Sequence, residues 1–129
     1  MAEKDVIRTD RAPGPFQGAP YNQAIRVGDL VFVAGQLGIS LETGVLAGAG
    51  VAEQTEQIMA NLGAILEAAG SGLDRLVKTT VFLMDLGDFA AMNDVYAKHV
   101  GDRPPARSTV QISGLPSGAL VEIEAIAHT

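Results

Sequence analysis

With 129 residues, 47% of them hydrophobic, the chain is sized for a single domain over 1–129 that buries roughly two-thirds of its unfolded surface. The absence of cysteine excludes disulfides and thiol catalysis, and the two histidines, His99 and His128, offer no zinc-ligand cluster. A formal charge of −6 disfavours phosphate backbones as partners, and no apolar run is long enough for a membrane span or a secretory leader, so a cytoplasmic protein without nucleic-acid or membrane partners is expected.

Residues 1–20 are expected to form an irregular N-terminal arm, because Arg11–Pro20 holds three prolines and two glycines. Tyr21–Val27 and Leu30–Ala34 are β-rich runs about a Gly28-Asp29 turn, the pattern of a hairpin. Gly35–Gly50 carries five glycines and reads as loop with one short strand, flexible enough to border a site. Over Val51–Ala69 the apolar residues Ile58, Met59, Leu62, Ile65, Leu66 and Ala69 recur at helical steps, while Glu53, Glu56, Asn61 and Glu67 fall mostly elsewhere. That spacing predicts an amphipathic helix stopped by Gly70 or Gly72.

Leu76–Met84 is rich in Val, Thr and Phe and predicts a strand, with Lys78, Thr80 and Phe82 opposite Val77, Thr79 and Val81. Asp85 or Asp88 can cap a second helix over Phe89–Val100, whose stripe is Phe89, Met92, Tyr96 and Val100. Two further strand-like runs follow, Arg103–Val110 and Val121–Ala127. With about six strand candidates and two helices, the pattern predicts an α+β sandwich, a mixed sheet with both helices on one face. Apolar residues on both sides of Val77–Leu83 leave a second face to be covered, most simply by another copy of the chain.

The last two strands carry charge where apolar residues belong. Side chains alternate along a strand, so Arg107, Thr109 and Gln111 share one face, and Glu122 and Glu124 share one face of the other strand, roughly 7 Å apart. Ionised groups are costly to bury unless paired or hydrogen-bonded. Arg107 therefore either bridges a glutamate in a structural ion pair or forms a recessed anion site, and the residues alone leave both open. Asn93 places an amide on or beside the second helix's apolar stripe, and Tyr21 stands where a phenol can close a pocket mouth or simply pack. Gly48 and Gly50 lack the context of a phosphate loop, and Ser108 has no histidine partner, so neither is assigned a role.

Seven segments in order resemble the Rid family of reactive intermediate deaminases: Pro20-Tyr-Asn-Gln-Ala24, Phe32-Val-Ala-Gly-Gln36, Ala68-Ala-Gly70, Val77-Lys-Thr-Thr-Val-Phe82, Asp88-Phe-Ala-Ala-Met-Asn93, Pro105-Ala-Arg-Ser108 and Glu122-Ile-Glu-Ala125. The resemblance covers almost the whole chain. It implies a chorismate-mutase-like fold, a homotrimer with sites between adjacent subunits, and hydrolysis of enamines and imines such as 2-iminopropanoate and 2-iminobutanoate to 2-oxoacids and ammonia, with no cofactor or metal. Carried over by position, it implies Arg107 and Glu122 as catalytic residues and Tyr21, Gly35, Asn93 and Thr109 as substrate-binding ones. Thr109 stands where many members carry cysteine and Ala19 where glycine is usual. Gly14-Pro-Phe16 resembles the family's Gly-Pro-Tyr, but Tyr21 immediately precedes the strand and is preferred. The competing expectation is a non-catalytic trimer that binds small carboxylates or acts as a chaperone.

Overall fold

The protein is described by a computed structural model covering residues 3–129. Six strands form one sheet: β1 (Lys4–Ile7), β2 (Ala24–Val27), β3 (Leu30–Leu37), β4 (Leu76–Leu83), β5 (Ala106–Gln111) and β6 (Val121–His128), in the order β1-β2-β3-β6-β4-β5. Neighbours are antiparallel except β4 and β5. That parallel pair needs a crossover, which the second of two helices, α1 (Val51–Ala68) and α2 (Phe89–Val100), supplies. The expected mixed sheet with two helices is therefore what forms.

Strand alternation puts Thr79, Val81 and Leu83 of β4 and Val121, Ile123, Ala125 and Ala127 of β6 on the face beneath the helices, all buried. Ile58, Met59, Leu62, Ile65 and Leu66 of α1 meet them with no exposed surface, each such side chain contributing about 1.5–3 kcal/mol on leaving water. Gly70 ends α1 as expected. At φ +82° its N–H donates to Glu67 O (3.1 Å) while Ser71 N–H donates to Leu66 O (2.8 Å), the paired bonds of a Schellman cap.

Three sequence expectations are corrected. The arm is not irregular throughout, since Lys4–Ile7 pairs with β2 in the register Ile7↔Ala24 through Lys4↔Val27; three of its four residues are exposed, so no alternation marks it. Asn61 is not on the solvent side of α1 but 2% exposed, its Nδ2 donating to Leu37 O (3.3 Å) and Ile39 O (3.1 Å). Val77 does not share the Thr79 and Val81 face, because the pairing with β6 slips between Leu76 and Lys78 and leaves it exposed. The other sheet face is open, presenting Phe32 (43% exposed) together with exposed Leu30 and Val110.

Candidate active site

β3 pairs with β6 through a bulge between Val33 and Gln36, and bulges re-aim side chains. Gly35 lies in that bulge, and a Cβ there would come within 2.8 Å of both Cδ and Oε1 of Glu122. The Glu122 carboxyl thus occupies space that only glycine vacates. Gly35, Glu122 and Tyr21 line a common cavity of about 410 Å³ with Phe16, Leu37, Ile39, Val45, Leu46, Pro116 and Ser117 among its other walls. Burial and the neighbouring Glu124 charge both push the Glu122 carboxyl above the usual carboxylate range.

The arm forms one wall of this cavity because side chains hold it there. Tyr21 Oη accepts from Phe16 N–H at 2.6 Å, and the phenol remains partly exposed at the opening. Gln23, 4% exposed, accepts from Thr9 N–H (2.7 Å) and donates to the carbonyls of Thr9 (3.1 Å), Ala12 (3.1 Å) and Pro13 (3.0 Å). Both Phe16 and Tyr21 reach the cavity, so the two aromatic candidates share it. Ser117 lies in a short turn at φ 60°, a left-handed conformation uncommon for a residue with a side chain.

Arg107 is elsewhere. Its guanidinium lies 4.9 Å from the Tyr96 ring centre and 5.4 Å from that of Phe89, a cation–π cradle supplied by α2. Tyr96 is itself fixed by a 2.7 Å hydrogen bond with Thr79 Oγ1, and burial raises its phenol pKa against the lowering influence of Thr79 and Arg107. Among the described residues Arg107 has no acidic partner within salt-bridge distance. Asn93 lies one helical turn from each ring, between Phe89 and Tyr96. Its Oδ1 is buried and, among the described residues, has no hydrogen-bond partner. Thr109 pairs with Val81 as Arg107 pairs with Thr79, which puts both on the helix side of the sheet.

The register settles how the two groups relate. Arg107 pairs with Thr79 on one edge of β4 and Glu122 with Phe82 on the other. Thr79 and Phe82 are an odd number of residues apart, so Arg107 and Glu122 point to opposite faces. The ion pair that the sequence left open does not form within one chain. The six candidate residues divide into Tyr21, Gly35 and Glu122 at the cavity and Asn93, Arg107 and Thr109 on the helix side. Phe89 and Tyr96, expected only as core stripe residues, hold the guanidinium, and their spacing about Asn93 was the available signal. Gln23 lies within the Pro20–Ala24 motif, and its clamp on the arm has no local signature. Among the described residues no cluster of His, Asp and Glu is arranged for a metal ion, and no helix is long and apolar enough to cross a membrane.

This fold is that of a known class. The family model described as Endoribonuclease L-PSP matches residues 11–129. A RutC family protein of Pyrococcus abyssi is 50% identical over 97% of this chain and 97% of its own length. The human 2-iminobutanoate/2-iminopropanoate deaminase is 42% identical over 95% of this chain and 88% of its length. Among solved structures, RidA of the Antarctic bacterium Psychrobacter sp. PAMC 21119 superposes with a TM-score of 0.91 at 43% identity, covering 97% of this chain and 99% of that one. The E. coli protein TdcF, solved with bound serine, gives 0.88 at 40%, covering 97% and 98%. The chain belongs to the endoribonuclease L-PSP family, which includes the RutC and Rid proteins.

Proposed function

We propose that the protein hydrolyses 2-iminoacids, including those released as enamines, to 2-oxoacids and ammonia. The observation that carries this reading is the division of the site: an arginine without an acidic partner on a cation–π cradle, and a glutamate with a raised pKa beside a cavity, on opposite sheet faces. Both can serve one substrate only if they come from different copies of the chain, and the exposed apolar side chains of Phe32 and Val110 on the open face support such an assembly. We take the assembly to be a chorismate-mutase-like homotrimer with a site at each junction. The deaminase names of the human and Arabidopsis relatives support the reaction class.

In this mechanism the planar Arg107 fork takes the substrate carboxylate bidentately, and its aromatic cradle fixes the fork's orientation. Glu122, ionised, accepts a proton from a water as the water oxygen bonds to the iminium carbon. The protonated glutamate then returns that proton to nitrogen. The C–N bond breaks, ammonia leaves, and the remaining hydroxyl loses its proton as the new carbonyl forms. Tyr21, Asn93 and the backbone at Gly35 and Thr109 bound the site. Neither metal nor cofactor enters these steps.

The test couples the protein to a serine or threonine dehydratase and follows 2-oxoacid release, with Arg107→Ala as control. Acceleration by the wild type and its loss in the variant support the reading; release that neither protein changes removes it. The serine bound to TdcF favours a second reading, binding of small carboxylates without turnover. Calorimetric binding of a 2-oxoacid with no acceleration of release is its signature. The acidic charge of −6 weighs against RNA as the substrate.

A further inference from the structure

The cavity beside Glu122 is larger and more apolar than a three-carbon substrate needs. At about 410 Å³ it falls in the range of pockets for whole small-molecule ligands. Of its polar lining, the Gln23 amide is spent on the arm and Gln36 Nε2 on Ala34 O at 3.0 Å, while the Tyr21 hydroxyl accepts from Phe16 N–H and keeps its own O–H, which with the Ser117 hydroxyl and the Glu122 carboxyl makes up the remaining side-chain polarity. What remains toward the interior is a wall of Phe16, Leu37, Ile39, Val45 and Leu46.

That wall is built before any ligand arrives. Ile39 and Leu46 bridge antiparallel across the loop. Ser40 N–H donates to Val45 O (2.8 Å), Ala47 N–H donates to Gly38 O (2.9 Å), and the buried Asn61 amide holds the Leu37 and Ile39 carbonyls from α1. Val45 is nevertheless 61% exposed, a large apolar side chain held at a cavity rim with nothing among the described residues to cover it. With Glu122 as the one carboxylate in the lining, an acidic side chain is repelled, and the cation that the deaminase reading brings there, Arg107 of a second copy, is taken by the substrate's own carboxylate.

From this lining we infer that the site is specific for iminoacids with aliphatic side chains of three or four carbons, such as the imine derived from leucine, over 2-iminopropanoate and over the imine derived from aspartate. The inference rests on the deaminase reading and assigns Phe16, Leu37, Ile39, Val45 and Leu46 as the residues that set specificity. A methyl group touches little of the wall, whereas each further methylene removed from water raises kcat/KM about fourfold. The three added carbons of the leucine-derived imine thus give a preference on the order of 60-fold.

The test generates imines in situ from L-alanine, L-2-aminobutyrate, L-norvaline, L-leucine and L-aspartate with an amino-acid oxidase and oxygen. Semicarbazide competes for each imine, and hydrolysis is read as semicarbazone lost. The expected result is kcat/KM rising along the aliphatic series and lowest for the aspartate imine, with Val45→Asp reducing the leucine-to-alanine ratio to below about tenfold. A flat or falling series with 2-iminopropanoate still hydrolysed, or a ratio unmoved by Val45→Asp, overturns the specificity and leaves the deaminase reading standing. No acceleration with any imine takes down both.

Discussion

Gly35→Ala separates the chemistry of the site from the stability of the fold. The new Cβ would stand 2.8 Å from Cδ and Oε1 of Glu122, where ordinary contact begins at 3.4 Å. Because the obstacle is the end of a flexible side chain, the carboxyl is what yields, by about 0.6 Å or more, and a 1 Å misplacement at a reacting centre costs about 100-fold. The expected loss in kcat/KM for iminoacid hydrolysis is about 10- to 100-fold. Gly35 is not among the residues at positive φ, so alanine fits the backbone, and restricting the unfolded chain offers about 0.4–1 kcal/mol of stabilisation. The melting temperature should therefore hold or rise slightly as activity falls. A double-mutant cycle sharpens the assay: in a Glu122→Gln background, Gly35→Ala should cost little more, since both changes act through one carboxyl. Full activity in Gly35→Ala, or the same fractional loss in both backgrounds, refutes the placement of Glu122 in the reaction.

Arg107→Ala removes two charge-assisted hydrogen bonds at about 1.5–3 kcal/mol each, so kcat/KM should fall about 10²- to 10⁴-fold, and Arg107→Lys should recover only part, because a lysine lacks the fork; steady-state kinetics on one iminoacid checks both. Burial raises the Glu122 pKa above its ordinary 4.5, so the acidic limb of the kcat/KM profile should lie above pH 4.5 and be absent in Glu122→Gln. The sign for stability follows from the same shift. The folded chain binds the Glu122 proton more tightly than the unfolded one, so stability present below pH 4.5 is lost as pH rises through the folded pKa. Glu122→Gln should then melt higher than wild type at pH 7 and alike at pH 4, by paired thermal scans. Gln23→Leu deletes four hydrogen bonds to the arm, and at about 0.5–1.5 kcal/mol each urea titration should show a loss of about 2–6 kcal/mol with a raised KM; an unchanged midpoint would remove Gln23 as the clamp.

Local periodicity carried most of the secondary structure because the energetic demand was local. The stripe Ile58, Met59, Leu62, Ile65 and Leu66 is fully buried where the helical steps put it, and Phe89–Val100 begins and ends as spaced. Asn61 and Gln23 escaped for a common reason. Each is a polar residue whose backbone partners stand ten or more residues away in the chain, and side-chain type says nothing about where a distant carbonyl will stand. β1 escaped because an exposed edge strand needs no hydrophobic alternation, only a partner with unpaired backbone groups.

The charged strands show where local reading stops. Alternation correctly grouped Arg107 with Thr109, and Glu122 with Glu124, yet it fixes only the phase within a strand. Whether the two groups meet depends on the phase between β5 and β6, and those strands never touch: β4 lies between them and sets both registers, parallel to one and antiparallel to the other. Arg107 opposite Thr79 and Glu122 opposite Phe82 give an odd offset on β4, so no rotamer of either side chain can close the distance through a sheet. A register one residue different would have made the bland surface ion pair instead, worth at most about 1 kcal/mol. Among the described residues the observed register leaves the guanidinium without a carboxylate and the carboxylate without a cation, and that mutual incompleteness is what a second copy of the chain can resolve.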